Sequence, residues 1–308
     1  MASNDGLNGA VIVGVFDESG SSMASSGVDA DGLPVAVDRP WPTASLGKVF
    51  TAAAVMQLVD AGLVDLDAPV AEYVDFPIWD KITVRHLLQH KSTLPTTNPF
   101  SALFRCPDEA TIAEIEKLAG KEPGSSEPGE TSSYSNTNYL VLGRLVGLVT
   151  GQDPGDYIQE NVFQPLGMES TYWYESQVGP APLRPLTDCG GLGETIGTDG
   201  AAITTIEDMD SFYRGLFSEG LFGAEILKQM LEMDSQVFGF RLGLGILEMV
   251  NDSYPDDLLY GFGGDGGSFK TAAFHDPAKS RTVVVFTAVG DQVSLLWEAI
   301  DWANQLTN

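Results

Sequence analysis

The chain has 308 residues, enough for a large core and for two closely packed lobes. Its 16 Lys plus Arg stand against 43 Asp plus Glu, a net charge of −27, which repels phosphate backbones and weighs against nucleic acid or an anionic membrane as partner. No run of 18 apolar residues occurs, so no membrane span is expected, and Met1 to Gly6 lack the basic and apolar regions of a leader.

The expectation is therefore a soluble chain, cytoplasmic as written, or periplasmic or secreted if a leader has been removed. The acidic residues are scattered rather than blocked, which indicates a solvated acidic shell and is consistent with adaptation to high salt. Cys106 and Cys189 form no C-x-x-C pair and decide neither a disulfide nor a compartment.

In chain order, Gly9 to Asp17 is an apolar run that fits a buried strand, Glu18-Ser19-Gly20 a turn, and Ser22 to Val28 a more polar second strand. After the loop Asp29 to Pro34 comes Pro42-Thr-Ala-Ser-Leu-Gly-Lys48. It leads into an uncharged stretch of helix formers from Val49 to Val59 that stops at Gly62. A short helix is expected over Val70 to Val74 and another over Thr83 to His90. Asn98 to Glu130 reads as loop and short helix. Helices follow over Thr137 to Thr150, Asp156 to Phe163, Glu207 to Phe217 and Ala224 to Met233.

The pattern then changes. Val237 to Val250 alternates as one strand, Ser268 to His275 fits another, Thr282 to Val289 a third, and Val293 to Leu306 an amphipathic helix. Strands at both ends around a helical middle predict an α/β (α+β) architecture: one antiparallel sheet built from both termini with flanking helices, plus an inserted, mainly helical lobe. The expected division is residues 1–66 with 235–308 for the sheet lobe and 67–234 for the helical lobe, with the site at the seam.

Chemistry concentrates on Ser45 and Lys48. Three apart on a helix, hydroxyl and amine share a face, and the helix N-terminus favours negative charge developing on the hydroxyl oxygen. A serine nucleophile needs a nearby base, and a lysine in an apolar setting can serve as one. The plain alternative for such a serine is a helix cap. Other motifs fall away. Gly261 to Gly266 matches G-x-G-x-x-G but precedes a strand rather than a helix. His86 and His90 stand i, i+4 without a Glu between them or a third ligand, and read as structural. No serine carries G-x-S-x-G.

Further segments bear a family pattern in order. Leu63-Val-Asp-Leu-Asp-Ala-Pro69 follows the serine helix, and Ile82 to Pro95 contains His90-Lys-Ser-Thr-Leu-Pro95. Tyr134-Ser-Asn136 precedes the next helix, and Pro165-Leu-Gly-Met168 comes later. Together with Ser45 and Lys48 these resemble the serine β-lactamase and DD-peptidase superfamily, in its class C-like branch, which includes penicillin-binding-protein-like enzymes and family VIII carboxylesterases. Thr93 stands where that family usually has glycine. Counting back from Pro277, the family's K-T-G or H-x-G element falls on Phe262-Gly263-Gly264, and Lys270 lies too late, beyond the turn.

The resemblance implies a β-lactamase-like fold and acyl transfer through a serine ester, with no cofactor or metal. It assigns Ser45 as nucleophile, Lys48 and Tyr134 as proton-transfer groups, and Asn136, Phe262, Gly263 and Gly264 as substrate-binding residues. The backbone N–H groups of Ser45 and Asp265 become the oxyanion hole. Phe262 supplies no cation for a substrate carboxylate, which favours a small neutral ester or amide over a D-Ala-type peptide or β-lactam. A catalytically silent sensor of peptidoglycan fragments or β-lactams is the rival of another class. Oligomeric state stays open.

Overall fold

A computed structural model of the chain describes residues 7–29, 32–75, 78–96, 126–173, 200, 202–251, 254–267, 269–288, 293–296 and 298–299. Cys106, Cys189, most of the expected 98–130 loop region and most of the last helix lie outside the described residues.

The apolar run near the N-terminus forms β1 (Leu7–Asp17), which turns at Asp17, whose Oδ1 accepts the Ser19 N–H at 2.7 Å, into β2 (Gly20–Asp29). Short β3 (Trp41–Pro42), β4 (Tyr172–Trp173) and β5 (Ala202–Thr204) make a separate three-stranded sheet in the order β3-β5-β4. The remaining strands are β6 (Ser235–Val237), β7 (Phe240–Leu242), β8 (Leu247–Asn251), β9 (Tyr254–Asp265), β10 (Lys270–Asp276) and β11 (Arg281–Thr287). With β1 and β2 they form one eight-stranded sheet in the order β2-β1-β11-β10-β9-β8-β7-β6. Every pairing is antiparallel, and β1 meets β11 with Val11 opposite Thr287 and Phe16 opposite Thr282. The sheet therefore does unite both ends of the chain. Each residue of β11 is buried, which explains the unalternating run Val283 to Phe286 at its centre, since a strand covered on both faces has no polar side to alternate with.

Two expectations need correction. Val237 to Val250 is not one strand but parts of three, because Phe238 (φ 52°) and Gly239 (φ 86°) reverse the chain and Gly245 (φ 81°) turns it again. The twelve-residue β9 is a strand where none is expected from the sequence. Pro255 and the glycines at 261, 263 and 264 remove the alternation that marks a strand, although β9 sits between β8 and β10.

Among the described residues the structure gives helices α1 (Lys48–Asp60), α2 (Val84–Leu88), α3 (Asn136–Thr150), α4 (Pro154–Ile158), α5 (Ile206–Phe217) and α6 (Ala224–Met230). Asp153 caps α4 by accepting from Gly155 N at 2.8 Å, so that helix begins earlier than expected, and a π-helical turn over Gln159–Phe163 continues it. The text of α1 lacks a polar face, and correspondingly the helix is buried nearly all round. Phe50 fixes it in place. Its ring meets Phe163 edge-on at 4.8 Å and Phe212 of α5 at 4.9 Å, joining three segments far apart in the chain. No helix among the described residues is long and apolar enough to cross a membrane.

Because Phe50 is fully buried and makes two edge-to-face contacts, Phe50→Ala leaves a cavity between α1, α5 and the π-helical turn. The expected loss is about 3–5 kcal/mol of unfolding free energy, read as a lower midpoint in urea with unchanged slope. A loss below about 1 kcal/mol would show that this contact does not hold α1.

Candidate active site

Ser45 lies in a single 3-10 turn, Ala44–Gly47, that runs directly into α1. This turn is clamped. Thr43 N donates to Ala202 O at 2.9 Å, its Oγ1 donates to the same oxygen at 2.9 Å, and Thr271 Oγ1 donates to Thr43 O at 2.7 Å. Ala44 is left with φ 47°, a left-handed conformation that an alanine adopts only under external constraint. Two glycines make room for it. A Cβ on Gly264 would stand 2.3 Å from Thr43 O, and one on Gly200 would stand 2.3 Å from Ala44 O. Backbone from β9 and from residue 200 can thus close on both sides of the residue before Ser45.

Lys48, the first residue of α1, has no exposed surface. Its Nζ donates to Ser45 Oγ at 3.1 Å and stands 5.2 Å from the ring centre of Tyr134 and 5.5 Å from that of Tyr139. Two aromatic faces thus take the place of water around the amine. Tyr134 precedes α3 in an extended segment, and its hydroxyl donates to Ser45 Oγ at 2.6 Å. Two donors, one of them 89 positions away, therefore converge on the Ser45 oxygen. Loss of a proton from either donor turns the same contact into an acceptor for the serine proton.

Asn136 opens α3 and is buried. Its N–H donates to Thr96 Oγ1 at 3.1 Å, while its Oδ1 has no hydrogen-bond partner among the described residues. Phe262 is buried on β9 opposite Ala273, and Gly264, two residues on, shares its sheet face and touches the Ser45 turn. Gly263 points to the other face, and Asp265 ends the strand exposed to solvent. Lys270 begins β10 opposite Asp265 and is ion-paired to it, beyond the turn as expected.

Sequence reasoning treated His86 and His90 alike, and the structure separates them. His86 completes a capping box with Thr83, accepting from Thr83 N at 3.3 Å while its own N–H reaches Thr83 Oγ1 at 3.2 Å. His90 belongs to the site. Its ring lies 4.5 Å from that of Tyr134 and 5.3 Å from that of Tyr139, and its Nδ1 accepts from Ser135 N and pairs with Asn138 Nδ2, both at 3.1 Å. Burial, helped by the nearby charge of Lys48, pushes the imidazole down to about 3, so His90 is a neutral packing and acceptor group rather than a proton shuttle. Its position between the α2 text and Lys91 was the available signal, but nothing in the spacing revealed that Tyr134 would pack on it. Phe238 was also missed. Its ring lies 4.8 Å from that of Tyr134.

Thr93 has φ 64°, which gives the physical reason why glycine suits this position, and its Oγ1 is buried without a hydrogen-bond partner among the described residues. A β-branched residue there is strained. Thr93→Gly is expected to stabilise the protein by about 1 kcal/mol in urea unfolding, and an equal loss instead would refute the strain. The buried histidines set a pH dependence. His275 is pushed down to about 4 by burial and then by the charge of Arg214, and His90 to about 3. Unfolded histidines bind protons below about 6.5 while these two do not. Unfolding free energy should therefore fall as pH drops from about 6.5 toward 4, before ordinary carboxylates titrate; a flat profile across that window would contradict both assignments.

A sequence model of the family described as Beta-lactamase matches residues 8–294. Penicillin-binding protein 4 of Amycolatopsis lactamdurans is 33% identical over 194 residues, covering 60% of this chain and 49% of that protein. The chain spans about half or less of the length of the curated relatives it matches. Among solved structures, the D-amino acid amidase from Ochrobactrum anthropi superposes with a TM-score of 0.80 at 23% identity, over 96% of this chain and 94% of that one. The penicillin binding protein from Bacillus halodurans gives 0.79 at 23% identity, over 95% and 96%. At such identity these likenesses speak for the fold alone, but the sequence match over nearly the whole length speaks for descent: the chain belongs to the beta-lactamase family.

Proposed function

We propose that this protein is a serine hydrolase that cleaves a small ester or amide through a covalent acyl-enzyme. The observation that carries the proposal is the convergence of Tyr134 Oη at 2.6 Å and Lys48 Nζ at 3.1 Å on Ser45 Oγ, and family membership supports it. Ser45 Oγ attacks the substrate carbonyl carbon as its proton passes to the Lys48 and Tyr134 pair. The backbone N–H groups of Ser45 and Asp265 receive the oxyanion, each donor of this kind being worth about 3 kcal/mol. The bond to the leaving group then breaks, with the leaving atom taking a proton from Tyr134. Water attacks the serine ester by the reverse relay and releases the acid.

Asn136 Oδ1, buried and without a hydrogen-bond partner among the described residues, can accept from a substrate N–H. Gly263 and Gly264 let the end of β9 run close to the bound acyl group. Phe262 is packed in the core and offers no charge to a substrate carboxylate, which favours neutral esters. The same proposal keeps the seam between residues 1–66 with 235–308 and residues 67–234 as the place of reaction.

The names of the relatives, a penicillin-binding protein and a D-amino acid amidase, supply a second reading, turnover of D-amino amides, D-alanyl peptides or β-lactams. p-Nitrophenyl butyrate, nitrocefin and a D-alanyl peptide assayed side by side separate the two. We expect the ester to be fastest, and fast nitrocefin hydrolysis with negligible ester turnover would reverse the order. Ser45→Ala should lower turnover at least about a thousandfold and abolish labelling by a fluorophosphonate. Undiminished activity in that variant would end the mechanism, and a long-lived adduct without turnover in intact-mass spectra would point to a sensor.

A further inference from the structure

Phe238 combines two unfavourable features beside Tyr134. It forms, with Gly239, the two-residue loop of the β6–β7 hairpin, between the paired residues Val237 and Phe240. Both loop residues have positive φ, 52° and 86°, the pattern of a type I′ turn, which Asn-Gly suits and a phenylalanine does not. The ring is also 70% exposed. A strained backbone and an uncovered aromatic ring at one residue contradict both local propensity and burial, and such conflicts concentrate at functional sites.

The ring has a fixed place. Its centre lies 4.8 Å from that of Tyr134, at an interplanar angle of 47°. The base of the hairpin is tied to Ser132, two residues before Tyr134, with Ser132 Oγ and Ser235 Oγ 2.7 Å apart, and to the segment after α2, where Ser235 Oγ donates to Gln89 O at 2.6 Å and Asp234 pairs with Lys91 at 2.8 Å. Phe238 is thus a wall held against Tyr134.

We propose that Phe238 is a specificity-determining residue that binds an apolar, preferably aromatic, leaving group. This rests on the reading of the site as an acyl-transfer centre. In that reading Tyr134 hands its proton to the departing atom, so the side of Ser45 occupied by Tyr134 is the leaving-group side, and the ring packed on Tyr134 is the surface the leaving group meets. An aryl or benzyl group there covers the exposed ring and gains an aromatic contact, whereas a small alkyl group leaves it wet.

The test compares benzyl acetate with ethyl acetate, which share the acyl group and release alcohols of similar basicity. The wild-type protein should favour the benzyl ester in kcat/KM, and Phe238→Asn should lower the benzyl-to-ethyl ratio about five- to tenfold, mainly through KM. Phe238→Trp should keep the preference. Asn also suits the turn, so the Asn variant should melt about 2 °C higher. Specificity lost while stability rises is the expected signature. An unchanged ratio in Phe238→Asn overturns the proposal, as does a fall in melting temperature accompanying the loss, which would make the ring a structural prop. If neither ester is turned over in a Ser45-dependent way, the acyl-transfer reading fails and takes the proposal with it.

Discussion

Placing an amine with no exposed surface at the first turn of a helix is the constraint around which the rest of this molecule is arranged. A polar nitrogen removed from water needs replacement partners, and Lys48 has the Ser45 hydroxyl on one side and the rings of Tyr134 and Tyr139 on others. Those rings reach it only because α3 packs along α1. The segment leading into α3 is held by Ser135 N donating to His90, and His90 is held in turn by Asn138. Remove that shell and the amine loses the two aromatic faces that keep water from it.

The second constraint acts on the backbone beside it. Ala44 is held left-handed by hydrogen bonds from Thr43 to β5 and from β10 to Thr43, while glycines on both flanks give the space. The two sheets are thereby joined through one residue, and the large sheet reaches the site at Gly264. Ser45 is consequently set by the sheet architecture as much as by its own helix, the rigid support that the proposed role requires.

Much of this was legible beforehand, and the reasons differ by element. The apolar runs of β1 and β11, the cap at Thr83 and the stop at Gly151 declare themselves through local chemistry. Ser45, Lys48 and Tyr134 were identifiable because their spacing and order follow a family pattern. β9 was not, since a strand rich in glycine and carrying a proline has lost the features that mark one. The division of 237–250 into three strands depends on a left-handed phenylalanine, which no propensity suggests. His90 and Phe238 were hidden for a different reason: each matters through packing on Tyr134, a contact between segments 44 and 104 positions apart that only the tertiary fold creates.

The pairing of β1 with β11 carries a cost during biosynthesis. The β1–β2 hairpin leaves the ribosome well before the neighbour that completes its hydrogen bonding, which lies some 270 residues downstream by register, Val11 opposite Thr287. Until then β1 offers an open, apolar ladder to any other nascent chain, and ring closure over so long a segment is slow. Closure of this sheet is therefore a late event in folding, and until then β1 is an edge that needs shielding.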